Sequence, residues 1–316
     1  MYKEKTIAVV IPAYNEEKLI GRTIGTLPDF VDQIVVVDDC SRDQTSAIVE
    51  RYVQEQPERV HLIRHESNQG VGGSLSTGFR WCLERKMDVS VIMNGDAQMD
   101  PEDLPNLLDP VVEGRADFSK GNRLISGKAW SVIPRVRYLG NAGLSLLTKI
   151  ASGYWHVGDS QTGYVAASLK VLQTLNLDKI YKRYGMPNDL LVRLNIHNIR
   201  VVDVEVKPVY GIGERSGFIP VLLIPKLSWL LLKLFIFRMI QKYVIRDFHP
   251  LVFFYLSGIL MSISGFLMGL FVVYHRLFVG SVNDNTPIFT VFLLIFGWQF
   301  ILFAMWFDME YNRPLR

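Results

Sequence analysis

The stretch "VIMNGDAQMDPED" (Val91–Asp103) reads as the end of a buried strand, a short polar turn and a helix opened by Pro101. Past the apolar "VIM", Asn94, Asp96, Gln98 and Asp100 fall on alternate positions, so a strand edge presents a row of oxygen-bearing side chains. A metal site there would be expected to carry one more carboxylate, at Asn94. Asp100 suits another task, the N-cap of the helix, because "DPED" is a capping pattern.

Working outward, "TIAVVIP", "DQIVVVD", "RVHLIRH" and "DVSVIMN" are short Val/Ile-rich runs about 25–30 residues apart. The segments between them have helical periodicity, as at Leu75, Phe79, Cys82 and Leu83. Such a pattern predicts an α/β domain with a parallel sheet covered on both faces. Ligands in these sheets bind outside the carboxyl ends of the strands. Three of those ends carry acids: Glu16 after the first, Asp38 and Asp39 at the second, Asp96 at the fourth.

The turn "PAYNEE" has no GxGxxG and the chain has no GxxxxGK[ST], which argues against a dinucleotide dehydrogenase and a P-loop enzyme. Pro12, Tyr14 and Glu16 instead offer a rigid turn, a ring and a carboxylate, a set suited to a nucleoside. "NQGVGGS" (Asn68–Ser74) opens a helix. Backbone N–H groups at Gln69 and Gly70 either approach a ligand there or the glycines simply turn the chain.

The 316 residues are 49% hydrophobic with a net charge of +3, too weak a balance for a nucleic-acid partner. Cys40 and Cys82 make neither a disulfide framework nor a zinc pattern, which implies a reduced, cytosolic setting for the soluble part. The apolar run Ile7–Pro12 is too short for a signal-peptide core.

Apolar residues concentrate after Phe218. Pro250–Tyr274 and Pro287–Phe307 are each long enough to cross a bilayer. Arg238, Lys242 and Arg246 precede the first, Arg313 and Arg316 follow the second, and the loop between holds a single Arg. The positive-inside rule then puts both termini and the N-terminal domain in the cytoplasm. Phe218–Phe237 is interrupted by Pro220, Pro225, Lys226 and Lys233; it is read as a helix lying in the interface, with a third span as the alternative. The expected organisation is a domain at 1–215, a juxtamembrane segment at 216–248 and a hairpin at 249–316. Gly258, Ser262, Gly265 and Gly269 form a small-residue stripe for close packing, within the hairpin or between subunits.

"VVIPAYNEE", "IVVVDDCSRDQT", "NQGVGGS", "NGDAQMDPED" and "DSQTGY" stand in the order and spacing of the family-two inverting glycosyltransferases with a GT-A fold. With two C-terminal spans, the chain resembles the polyprenyl-phosphate glycosyltransferases, relatives of dolichol-phosphate mannose synthase. The resemblance covers essentially the whole chain. Its N-terminal motifs are specific, while the membrane part matches by architecture.

The resemblance implies a GT-A, Rossmann-like, mainly parallel sheet and roles for particular residues. Pro12, Tyr14 and Glu16 would line the nucleoside, Asp39 would accept from the base and Asp38 would support it. "DDCSRDQT" also reads as a strand-end turn opening a helix. "NGDAQ" aligns with the family's D-x-D-x-Q metal motif, so Asp96 and Gln98 are the implied ligands of Mg²⁺ or Mn²⁺, with Asn94 bonding the ribose or a metal-bound water. A plain turn is the alternative.

A polyprenyl (undecaprenyl or dolichyl) phosphate is already anionic at neutral pH, its second pKa near ~6, and so needs arginines more than a base. Arg123, Arg135, Arg137 and Arg215 are the candidates; a Lys common in the family after Ser216 is here Gly217. Asp189 in "PNDLLVRL" is a base, an arginine orienter or first-turn decoration behind an Asn188 cap. Asp159 in "DSQTGY" faces the sugar or closes a turn.

The expected activity is metal-dependent inverting transfer from a nucleotide-sugar to a polyprenyl phosphate at the cytoplasmic face of a bilayer. The stripe, and membrane relatives that assemble, imply a homo-oligomer, a tetramer being one form. The alternatives are a glycosyltransferase acting on a hydroxyl, with Asp189 as base, and a non-catalytic sugar-nucleotide sensor.

Overall fold

The computed structural model describes residues 1–127, 129–211 and 220–316, with the side chains of 131, 137 and 220–224 also outside the description. The four Val/Ile runs form β1 (Ile7–Ala13), β2 (Gln33–Asp38), β3 (Val60–Arg64) and β4 (Val89–Ile92). Between and after them lie α1 (Ile20–Gly25), α2 (Thr45–Glu55), α3 (Val71–Glu84) and α4 (Leu104–Val112). Then come β5 (Phe118–Asn122), α5 (Ala129–Val132), α6 (Arg135–Ser152), β6 (Val165–Ser168), α7 (Leu169–Thr174), α8 (Met186–Ile196) and β7 (Val201–Glu205). The chain continues through α9 (Pro220–Ile240), α10 (Leu251–Phe278) and α11 (Asn285–Asn312).

Among the described residues, seven strands make one sheet in the order β3-β2-β1-β4-β6-β5-β7. β3, β2, β1 and β4 are parallel, as the apolar runs predict. β6 runs antiparallel to both β4 and β5, and β7 is parallel to β5. The reversal at β6 turns the chain beside the end of β4, where the "NGDAQ" turn lies.

Alternation along β1 divides the core in two. Ala8 and Val10 face one side with α3 and α8, while Ile7, Val9 and Ile11 face the other with α1 and α4. On α3 the helix lies so close to the sheet that a Cβ at Gly78 would overlap Val10. The close approach requires glycine.

The chain separates into two compact units, Met1–Phe235 with Leu315–Arg316, and Ile236–Pro314. In the first, α9 buries Leu227, Leu231 and Leu234 and exposes Trp229, Leu232 and Lys233. Leu234 packs with Val192 and Ile196 of α8, so this part of the expected juxtamembrane segment belongs to the packing of the first unit.

The second unit is the hairpin. α10 and α11 are the candidate spans among the described residues, at Leu251–Phe278 and Asn285–Leu315. A Cβ on Gly258 would lie 2.9 Å from the Gly297 carbonyl oxygen, and one on Gly265 would lie 3.0 Å from Leu294. The small-residue stripe is thus taken up inside the hairpin. Arg238 and Lys242 are buried: Arg238 forms a two-pronged pair with Asp308 at 2.8 and 3.0 Å, and Lys242 donates to Asn312 at 2.7 Å. The Asp308 carboxylate offsets the Arg238 charge, which weakens it as an orientation signal; Arg246 remains exposed.

Candidate active site

The ends of β1 and β2 are stitched together. Asn15, with φ +57°, turns the chain after Tyr14, and its side-chain oxygen accepts from the Arg42 N–H at 2.8 Å. Its own N–H donates to Ser41 Oγ at 2.9 Å, and the Glu16 N–H donates to Thr45 Oγ1 at 2.8 Å. Pro12 is buried in β1 while the Tyr14 ring stands exposed. A rigid base and a free ring suit stacking on a planar ligand. Burial, then the neighbouring Asp96 and Asp43, push the Glu16 carboxyl up to about 7.

Asp38 accepts from the Ser41 N–H at 3.0 Å and from the Ser46 hydroxyl, so it fixes the turn before α2. Asp39 turns inward. Its carboxylate accepts from the Gln69 N–H at 2.8 Å, the Gly70 N–H at 2.7 Å and His65 Nδ1 at 2.8 Å. His65 Nε2 lies 2.9 Å from Thr77 Oγ1. The Gly-rich loop is therefore clamped by Asp39, and the Gln69 and Gly70 N–H groups expected to approach a ligand donate to that carboxylate instead. His65 and Thr77 escaped the sequence reading. The signal for His65 was a polar residue at the end of β3, and Thr77 lies within α3.

At the end of β4 the Asp96 carboxylate accepts from the Gln98 N–H at 3.1 Å, across Ala97 with φ +53°. A Cβ on Gly163 would come within 3.6 Å of Asn94 Oδ1, so the "DSQTGY" loop lies against Asn94. Asp100 accepts from the Glu102 N–H at 2.9 Å, the cap its sequence predicts.

The end of β5 brings in the opposite charge. Arg123 donates to Asp159 through Nε at 2.8 Å, Nη2 at 3.3 Å and its backbone N–H at 3.3 Å. The Gln161 N–H adds a fourth bond at 3.1 Å. Asp159 is fully buried. Burial opposes its charge, but Arg123 and then Lys120 hold the carboxyl below its usual range. Burial also opposes the Arg123 charge, which Asp159 chiefly restores, with Tyr210 and Asp96 adding to it. Arg123 is thus within electrostatic reach of the "NGDAQ" turn.

Beneath this pair, Lys120 is buried in β5 and donates to the Thr162 carbonyl. Burial pushes its ammonium down to about 8, against Asp159 and Asp203. Asp203 accepts from Asn122 and from the Gly158 N–H, both at 2.6 Å, and burial holds its carboxyl above the usual range. Lys120 and Asp203 were not singled out by sequence. A lone Lys inside the strand "FSKGN" was the available signal.

Asp189 does not face outward. It is buried on α8, accepting from Arg193 Nε at 2.7 Å and from the Tyr181 N–H at 2.8 Å. Asn188 is no cap either: Gly185 holds that place, and the Asn188 oxygen accepts from Thr148 and Gln161. Arg135 opens α6, exposed, its guanidinium 5.7 Å from the centre of the Trp130 ring. The Arg137 side chain and Arg215 lie outside the described residues.

Residues 8–175 match the family described as Glycosyl transferase family 2. The chain belongs to that family. This family 2 glycosyltransferase is 32% identical over 219 residues to the UDP-N-acetylglucosamine–dolichyl-phosphate N-acetylglucosaminyltransferase of Methanococcus voltae, a match over 66% of this chain and 87% of the relative. It is 34% identical over 217 residues to the undecaprenyl-phosphate mannosyltransferase of Micrococcus luteus, over 67% and 88% of the two chains. The fold matches glucosyl-3-phosphoglycerate synthase from Mycobacterium tuberculosis, solved with Mn²⁺, uridine diphosphate and glucosyl-3-phosphoglycerate, at TM-score 0.52 and 23% identity over 74% of this chain and 80% of that one. The resemblance to polyprenyl-phosphate glycosyltransferases and the GT-A fold expected from the motifs are both borne out.

Proposed function

We propose that this glycosyltransferase moves a sugar, with inversion, from a UDP- or GDP-sugar to a polyprenyl phosphate at the cytoplasmic face of a membrane. The observation that carries the reading is the state of Asp189, the expected base for a hydroxyl acceptor, and of Asp159, the acid expected to face the sugar or close a turn. Asp159 and Asp189 are both buried and both bonded to arginines, Arg123 and Arg193. A hydroxyl acceptor needs a carboxylate to take its proton. A phosphate acceptor needs fixed cations, which Arg123 supplies.

The residues of the "NGDAQ" turn fit a divalent cation. Asp96 raises the cost of ionising the half-buried Glu16, a repulsion that a cation held by the Asp96 carboxylate and the Gln98 side-chain oxygen would relieve. Among the described residues no three acids or histidines form a ready cage; a cation shared with phosphate oxygens asks for only one or two protein carboxylates. Asp96 and Gln98 would hold it. Bound there, it would offset the charge of the departing nucleoside diphosphate. Pro12, Tyr14 and Glu16 would hold the nucleoside, Asn94 would bond the ribose, and Asp39 would set the loop that borders them. Arg123, aimed by Asp159, would hold the acceptor phosphate with Arg135, Arg137 and Arg215 as further candidates. The hairpin would keep the enzyme in the plane where the lipid moves.

The test uses purified enzyme, radiolabelled UDP- and GDP-sugars, and polyprenyl phosphate with and without Mg²⁺ or Mn²⁺. Label should enter the lipid fraction only with metal and only when the lipid is phosphorylated. Equal transfer to the dephosphorylated lipid would overturn the acceptor assignment. Asp96→Ala should abolish transfer and Asn94→Asp should be tolerated; metal-dependent activity surviving Asp96→Ala would remove Asp96 from the cation site.

A further inference from the structure

The middle residue of β5 is a lysine with almost no contact with water. Lys120 is 1% exposed and donates through Nζ to the Thr162 carbonyl. Beside it lies a small cavity lined by Leu75, Phe118, Met186 and Leu190, side chains that offer an ammonium no hydrogen bond. Lysine is rarely buried without a counter-charge. Here Asp159, from the loop before β6, and then Asp203 of β7 act on it, while Arg123 at the end of its own strand opposes its charge. Burial outweighs the two acids and draws the ammonium down to about 8.

The bond to Thr162 ties β5 to the loop 159–163, and both ends of that loop meet the candidate site. At one end Asp159 pairs with Arg123. At the other, a Cβ on Gly163 would come within 3.6 Å of Asn94 Oδ1. Charge makes a second link. Arg123 and then Lys120 keep Asp159 ionised, so two cations share one carboxylate. The Asp203 Oδ2 is already taken by Asn122 and the Gly158 N–H. Without the ammonium, Asp159 would hold the Arg123 guanidinium with its whole charge, in competition with any incoming anion. With it, the field of Asp159 is divided and Arg123 keeps a net positive charge on its ligand side.

We propose that Lys120 is a positioning residue for the acceptor: its ammonium holds the 159–163 loop by the Thr162 carbonyl and shares the charge of Asp159, so that Arg123 can bind a phosphate monoester. This rests on the reading of Arg123 as the cation that receives the acceptor. Lys120 itself touches no substrate and acts through Asp159 and Arg123.

The experiment measures KM for undecaprenyl phosphate in nanodiscs from about pH 7 to about pH 9.5, with the full chain as wild type, Lys120→Met and Lys120→Arg. The acceptor, with a second pKa near ~6, no longer changes charge over that range. Wild-type KM should rise about tenfold as the pH passes through 8 and Lys120 loses its proton. Lys120→Met keeps the stem and removes the charge. Its KM should already be raised at neutral pH and stay level, with the donor KM within about threefold of wild type. Lys120→Arg, whose charge does not titrate, should hold the low KM to the top of the range. A wild-type KM that is flat with pH overturns the proposal without any variant. So does Lys120→Met that lowers only the unfolding midpoint. Equal wild-type transfer to the dephosphorylated lipid is a different failure: it removes Arg123 from the acceptor, and this proposal falls with that reading.

Discussion

Replacing Asp159 with asparagine keeps the side chain's shape and removes its charge. Four donors converge on this carboxylate: Arg123 Nε, Nη2 and N–H, and the Gln161 N–H, at 2.8 to 3.3 Å. Asparagine retains one oxygen, so two of these donors would face an amide NH₂. Bonds to a charged partner contribute about 1.5–3 kcal/mol each, and breaking a buried pair by removing one partner costs about 3–5 kcal/mol. Lys120, close enough to feel Asp159, loses the larger of its two counter-charges and keeps Asp203. A loss of about 3–5 kcal/mol, expressed wholly in the transition state, would lower the rate roughly 10²–10⁴-fold. Part of it should appear as lost stability instead, so both are measured. The assay is initial transfer to polyprenyl phosphate in nanodiscs, with donor binding and thermal unfolding run on the same preparation. We expect donor affinity within about threefold of wild type, a raised KM for the lipid phosphate, and kcat/KM reduced roughly 10²-fold. If kcat/KM stays within about threefold while the unfolding midpoint drops, Asp159 is structural only, and the argument that it aims Arg123 fails.

Glu16 gives a pH prediction. Its carboxyl lies at about 7 in the folded chain against 4.5 for the ordinary group. Between those values the folded state holds the extra proton, so metal-free stability should fall as pH rises through 7, while cation-supported donor binding, which needs the carboxylate, should improve. Glu16→Gln should flatten both profiles, and an unchanged pH profile would remove Glu16 from the site. Asp189→Asn should lower the unfolding temperature through loss of the Arg193 and Tyr181 bonds but leave the shape of the pH–rate curve intact; loss of its acidic limb would restore Asp189 as the base. In the hairpin, Gly258→Ala places a methyl 2.9 Å from the Gly297 carbonyl oxygen and should cost about 1–3 kcal/mol. Gly269→Ala, 3.6 Å from Thr290, should be tolerated; equal thermal stability of the two in detergent would contradict the packing.

Much of the site was legible because strand-end turns are local. Asp96, Asp100, Glu16 and Asp39 sit where an apolar run gives way to polar residues, and the parallel arrangement forces those ends onto one rim. The direction each side chain takes there was not legible. Asp39 and Asp96 look alike in sequence, yet Asp39 turns inward because Gln69, Gly70 and His65, some 26 to 31 positions away, supply three donors. Asp189 resembles a first-turn acid of a surface helix, and only the packing of α8 shows that it is buried.

The sequence by itself determined the first four strands and the two long apolar helices. Runs such as "IVVVD" bury on both sides and must be central strands, and two apolar stretches exceed what a soluble core helix requires. It also determined where acids and arginines cluster along the chain. The tertiary structure decided what pairs with what: β6 reversed between β4 and β5, Asp159 matched to Arg123, Lys120 matched to Thr162, and the glycine stripe of α10 closed against α11. These are contacts between residues far apart in the chain. They are fixed by mutual burial and charge compensation, which no local pattern of residues encodes.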